Sequence, residues 1–160
     1  MTIKVGDKLP SLTLTEKQEG GPAPVTTDEL FKGKKVVLFA LPGAFTPTCS
    51  AKHVPGYVVN YDALKAKGVD SIVCHSVNDA FMMGAWGKDQ GAGDKVRMIA
   101  DGNAEFSKAV GLTFDASKFG MGTRSQRYSM LVDVGVVKTL NVEEPGAFEV
   151  SSAEYMLKTI

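Results

Sequence analysis

Apolar positions change their period several times along the chain, and each change marks an element. Ser11-Leu-Thr-Leu-Thr15 alternates as a short half-buried strand does. Glu19-Gly-Gly-Pro-Ala-Pro24, the only Gly/Pro-rich stretch, reads as a long turn or loop. Lys35-Val-Val-Leu-Phe-Ala40 is continuously apolar between Gly33 and Pro42, which predicts a strand buried on both faces. From Val54 the apolar residues recur at Tyr57, Val58, Tyr61 and Leu64, a helical spacing stopped by Gly68. A second strand follows at Asp70–Val77, a helix at Asp79–Asp89, a third strand at Val96–Ala100 and a short helix at Ala104–Val110 with Gly111 as its stop. Arg127–Asp133 and Val136–Val142, joined around Gly135, predict a β-hairpin. Ser151 or Ser152 caps a last helix carrying Tyr155, Met156 and Ile160.

Strands that first alternate with helices and then close in a hairpin and a helix predict a mixed sheet with helices on both faces, a three-layer α/β domain over residues 1–160. A thioredoxin-like arrangement fits this order. Composition adds limits. Lys plus Arg equals Asp plus Glu at 18 each, so the surplus of positive charge that nucleic acid or an anionic membrane requires is absent. The longest apolar stretch, Val36 to Leu41, is far short of a membrane span. Met1-Thr-Ile-Lys-Val-Gly-Asp has neither an apolar signal region nor Arg/Ser-rich transit character, which predicts a cytosolic protein. Two cysteines, Cys49 and Cys74, are too few for a disulfide scaffold.

Pro42-Gly-Ala-Phe-Thr-Pro-Thr-Cys-Ser50 sits where a buried strand ends and a helix begins, the place where open α/β sheets put ligands. A cysteine there meets unpaired backbone N–H groups and the positive end of a helix, both of which favour a thiolate. Pro42 and Pro47 limit backbone freedom. Thr46 lies three residues before Cys49, and its hydroxyl can donate to a thiolate and accept from an incoming group. A small buried loop cysteine is the competing reading.

The segment resembles the peroxiredoxin signature Pro-x-x-x-Thr-x-x-Cys. Lys52-His-Val-Pro-Gly56, Ser76-Val-Asn-Asp79, Gly122-Thr-Arg-Ser-Gln-Arg127 and Val150-Ser-Ser-Ala-Glu154 are similar to stretches of the type II, peroxiredoxin 5-like branch. The resemblance implies a thioredoxin fold and a thiol peroxidase for hydrogen peroxide and alkyl hydroperoxides, with no metal or organic cofactor. It implies Cys49 as the peroxidatic cysteine, with Pro42, Thr46 and Arg127 as its catalytic companions. It further implies a sulfenic acid recycled by glutaredoxin with glutathione or by thioredoxin, and a homodimer packed near the active-site loops. Cys74 matches the resolving cysteine of plant-like members, against the alternative of inert core packing. Acidity alone does not make such a thiol fast. Lowering a thiol pKa from about 8.5 to about 6 gains roughly tenfold in thiolate, and the fall in nucleophilicity returns a similar factor. The acceleration must come from groups that align the peroxide and stabilise the departing oxygen.

Other candidates compete less well. His53, one helical turn after Cys49, suggests a Cys-His hydrolase dyad, but Pro55 disturbs that geometry. Pro55 also lacks the N–H that would bond the Ala51 carbonyl, so the turn carrying Cys49 is set apart from the main helix and can open locally. Cys74 and His75 are adjacent on a strand and face opposite ways, which speaks against a shared zinc ion. Arg124 either assists Arg127 or is a solvated loop residue. Phe45, Phe81, Trp86 and Phe119 line an entrance or a subunit contact, or are core.

Overall fold

The computed structural model describes residues 2–160. The alternation near Ser11 builds β1 (Thr13–Gln18), but the Gly/Pro-rich stretch is not a loop. After a tight turn it continues as β2 (Gly21–Thr26), antiparallel to β1 with Pro22 opposite Lys17 and Pro24 opposite Thr15. Proline is tolerated because β2 is an edge strand, and two prolines one residue apart forgo hydrogen bonds on the same outward side. Thr26 then caps α1 (Thr27–Phe31), accepting from the Glu29 N–H at 3.1 Å.

The continuous apolar run forms β3 (Lys35–Leu41), after which a π-helical turn spans Cys49–His53. The single helix expected from Val54 to Leu64 is two, α2 (Val54–Val59) and α3 (Tyr61–Ala66). Asn60 divides them, its side-chain amide donating to the Gly56 carbonyl at 2.8 Å and competing with the helical ladder. There follow β4 (Ser71–Ser76), α4 (Ala80–Asp89, capped by Asp79), β5 (Arg97–Ala100) and α5 (Glu105–Val110). Two short strands absent from the sequence reading, β6 (Thr113–Asp115) and β7 (Thr123–Ser125), pair with each other apart from the main sheet. The hairpin is β8 (Tyr128–Asp133) and β9 (Val136–Val142), and Ser152, not Ser151, caps α6 (Ala153–Thr159).

The seven-stranded sheet runs β2-β1-β5-β4-β3-β8-β9, with β4 parallel to β3 and β5 and the remaining pairs antiparallel. Alternate residues of β3 feed two cores. Val37, Phe39 and Leu41 join Tyr57, Leu64, Met83, Trp86 and Met156, which places α2, α3, α4 and α6 on one face. Val36, Leu38 and Ala40 join Phe31, Phe106 and Val110, placing α1 and α5 on the other. Three layers result. The β3–β8 register, Ala40 opposite Tyr128, brings Arg127 to the end of β3, where the loop to Cys49 leaves the sheet.

Candidate active site

The loop from Pro42 to Thr48 is tied down at several points. The Asn78 side chain accepts from the Ala44 N–H at 2.9 Å and from the Ser76 hydroxyl at 2.8 Å, so the Ser76–Asp79 stretch holds the loop from below. Arg124 donates to the Pro42 carbonyl at 3.3 Å and to the Met121 carbonyl at 2.9 Å. It is therefore a brace on β7 rather than a solvated loop residue. Gly43 fits closely here: a Cβ would lie 3.1 Å from Arg124 Nη1 and 3.3 Å from both Met121 and Thr46, so these side chains would have to give way slightly. Phe45 stands at φ 62°, a conformation that a bulky side chain rarely adopts, and its ring leans toward Trp86 at 6.3 Å. Thr46 turns its hydroxyl proton to the Gly43 carbonyl at 2.7 Å, so that proton is spent and its oxygen is left to accept.

The turn that carries Cys49 has π register. The Val54 N–H bonds the Cys49 carbonyl, and Pro55 has no N–H to give the Ala51 carbonyl. Cys49 itself is fully buried, and Arg127 Nη2 donates to its sulfur at 3.1 Å. The same guanidinium donates through Nη1 to His53 Nδ1 at 2.8 Å and lies over the Phe148 ring, 5.8 Å from its centroid. His53 Nε2 in turn meets the Ser151 carbonyl at 3.0 Å. An arginine can only donate, so Nδ1 is the accepting nitrogen and Nε2 carries the proton. Burial first, and the Arg127 charge second, push the His53 pKa down to about 3 against the pull of the Ser151 carbonyl. Both ring nitrogens are thus occupied by partners other than Cys49, which removes the Cys-His hydrolase reading. The Tyr57 hydroxyl also donates to the Ser151 carbonyl, at 2.9 Å, and burial pushes its pKa far up, so it stays a neutral donor. A cavity of about 450 Å³ opens beside this cluster, lined among others by Pro42, Thr48, Phe114, Arg127 and Ala147.

The profile of the Redoxin family matches residues 4–157. A chloroplastic peroxiredoxin-2E of Arabidopsis thaliana is 53% identical over 163 residues, covering 99% of this chain and 70% of the relative. The chloroplastic peroxiredoxin-2E-2 of rice is 54% identical, covering 99% and 73%. A crystal structure of reduced Prx3 from Vibrio vulnificus in complex with H2O2 superposes with a TM-score of 0.95 at 56% identity, covering 99% of both chains. The chain belongs to the redoxin family, as a type II peroxiredoxin. It is a thiol peroxidase with the thioredoxin-like fold expected from the sequence.

The expectation of a cytosolic peroxiredoxin is overturned, since the Arabidopsis and rice relatives are chloroplastic proteins. An organelle address is read from a short segment by a receptor, and the packing of the domain carries no trace of it. The second cysteine of this peroxiredoxin lies in β4, opposite Phe39, and is fully buried in the same core cluster as Cys49. Burial and, after it, the neighbouring Cys49 push the Cys74 thiol pKa well up, with Arg127 opposing. Both thiols are free. His75 faces the other core, where its Nε2 meets Asp101 at 2.9 Å, so it shares no site with Cys74. Of the four aromatics, only Trp86 is core; Phe45, Phe81 and Phe119 are exposed. The sequence presents His53 as a base or, less well, a zinc ligand, and carries no sign of Ser151 and Phe148 as contacts of the site. The resemblance of Lys52–Gly56 and Val150–Glu154 to family stretches pointed to the segments of His53 and Ser151, and no signal pointed to Phe148.

Proposed function

We propose that this peroxiredoxin reduces hydrogen peroxide and alkyl hydroperoxides at Cys49 and is recycled by an external thiol. The observation that carries the reading is the 3.1 Å contact between Arg127 Nη2 and the Cys49 sulfur. A guanidinium at that distance favours negative charge on sulfur and offers a second donor to an oxygen that approaches. Peroxide enters by the cavity that Arg127 and Thr48 line, beside the sulfur that Arg127 holds. Its O–H donates to the Thr46 oxygen, whose own proton is engaged with Gly43. The thiolate attacks one peroxide oxygen. The S–O bond forms as the O–O bond breaks, and the second oxygen leaves as alkoxide or hydroxide, taking up the proton that the thiol had released. Arg127 stabilises the charge as it passes to that oxygen. Pro42 shapes the cavity wall and holds Arg124 through its carbonyl.

The sulfenic acid on Cys49 is then attacked by a thiol, water leaves, and a second thiol reduces the resulting disulfide. Glutaredoxin with glutathione, or thioredoxin, supplies these electrons. Cys74, set in the central sheet with its thiol pushed up, is the poorer attacker, and a bond to it requires Cys49 to leave its turn. A homodimer covers the exposed aromatic Phe45 beside the loop.

Rapid-mixing measurement of peroxide reduction tests the roles. Arg127→Gln is expected to slow the oxidation of Cys49 by about a hundredfold to a thousandfold, and Thr46→Val by about ten- to a hundredfold. Near-normal peroxide kinetics in both variants would refute the assignment.

A further inference from the structure

The loop after β9 begins with a buried carboxylate to which the peroxidase chemistry gives no task. Glu143 is 7% exposed. Its Oε2 accepts from the N–H groups of Glu149, Val150 and Ser151 at 2.8, 2.9 and 2.8 Å and from the Ser151 hydroxyl at 2.6 Å. Its Oε1 accepts from the Glu149 N–H at 3.0 Å. Burial works to raise the pKa of this carboxyl, but the Ser151 hydroxyl and the backbone donors outweigh it and keep the group ionised. The Glu143 N–H meanwhile donates to the Arg127 carbonyl at 2.9 Å. One residue therefore grips both the backbone of the guanidinium's owner and the turn that holds the Ser151 carbonyl.

We infer that Glu143 is a positioning residue: by pinning the turn 149–151 it fixes the Ser151 carbonyl, which locks His53 as the Nε2–H tautomer and so keeps Arg127 on the Cys49 sulfur. The inference rests on the reading that Arg127 acts at that sulfur. A neutral imidazole has two tautomers of similar energy, and a neighbour's hydrogen bond selects between them. The Ser151 carbonyl selects by accepting from Nε2–H, with the Tyr57 hydroxyl on its second lone pair. If that carbonyl drifts, the Nδ1–H form competes, and its N–H then points at the Nη1–H of Arg127. Two donors face each other across the 2.8 Å contact, and the guanidinium swings off the sulfur. The lock works only while His53 is neutral, which its burial ensures at working pH.

The test is a double-mutant cycle read together with the tautomer. The chain has two histidines, and the His53 signals in nitrogen-15 spectra are assigned by their loss in His53→Gln. Glu143→Gln keeps the shape and removes the charge. It is expected to shift His53 toward the Nδ1–H form and to slow Cys49 oxidation roughly tenfold, the scale of one lost charge-assisted hydrogen bond. In the Arg127→Gln background the same change is expected to cost less than about twofold, because the two residues act in series. Ser151→Ala removes only the hydroxyl donor to Glu143 and gives the milder version, a partial tautomer shift with a loss of about two- to threefold. Equal losses in both backgrounds, or a rate loss with the Nε2–H signature intact, would overturn the inference and leave the peroxidase reading standing. A wild-type rate in Arg127→Gln alone would overturn that reading instead.

Discussion

Cys49 and Cys74 share one apolar cluster and the same complete burial, yet their surroundings make them different reagents. Cys74 is inside a strand whose neighbours β3 and β5 are both hydrogen-bonded to it, so moving it means breaking the middle of the sheet. Cys49 is on a π-turn, after a loop that holds Phe45 in a strained conformation, with a guanidinium 3.1 Å from its sulfur. Exposure does not separate the two; a nearby fixed charge and a backbone that can open do. The most drastic way to break the contrast is to remove each thiol in turn. Cys49→Ser is expected to abolish peroxide consumption with either glutaredoxin plus glutathione or thioredoxin. Cys74→Ser is expected to retain more than about half of the turnover with an external thiol. Mass spectrometry after one equivalent of peroxide checks the same point: a Cys49 sulfenate without a Cys49–Cys74 bridge is expected. A bridge within the chain, with turnover lost in Cys74→Ser, would reverse the ranking of the two thiols.

His53 belongs to the Cys49 side alone, and it gives that side a pH signature. Its pKa is about 3 in the folded protein, against the ordinary value near 6.5 expected once it is unfolded. Between those values the unfolded chain binds a proton that the folded chain refuses, so acid favours unfolding. The contribution is complete above about pH 6.5 and is lost as pH falls toward 3, roughly 2 kcal/mol between pH 7 and pH 5. The carboxylates held low by their hydrogen bonds, Asp101 and Glu143, add their own losses only at more acid pH. Urea unfolding of wild type and His53→Gln at pH 7 and pH 5 checks this. The wild type is expected to lose stability over that interval and the variant to lose little; parallel slopes would detach His53 from the effect.

How much of this was legible beforehand follows from the range of each interaction. The strands around Lys35–Ala40 and Asp70–Val77 and the hairpin at Gly135 announce themselves because short apolar runs and the turn residues that bound them are local signals. The signature loop was legible for the same reason, its chemistry lying within a few residues of Cys49. The edge strand β2 was not, because Pro22 and Pro24 read locally as a breaker and only the neighbour β1 explains why they are tolerated. The chain from Arg127 to His53 to Ser151 was not legible either. Its two contacts join residues 74 and 98 positions apart, and no periodicity encodes which nitrogen of an imidazole will face which partner.

Pro55 offers the finest test of whether the turn of Cys49 opens more readily than the strand of Cys74. In an α-helix the N–H of residue 55 would close on the Ala51 carbonyl; proline cannot, and the preceding turn takes the wider π register instead. Pro55→Ala supplies that N–H, near the start of a helix where proline itself costs little, so the folded protein is expected to be destabilised by no more than about 1 kcal/mol. The step that uses Arg127 and Thr46 does not need the turn to open, and the rate of Cys49 oxidation is expected to stay within about twofold of wild type. Reaction of the sulfenic acid with an external thiol does need it, because the sulfur begins fully buried. That second phase is expected to slow by about two- to fivefold as the turn gains a hydrogen bond that opening must break. Stopped-flow traces that separate the two phases decide the matter. If both phases keep their wild-type rates, the missing N–H is not what frees Cys49, and the mobility must be sought in the strained loop around Phe45.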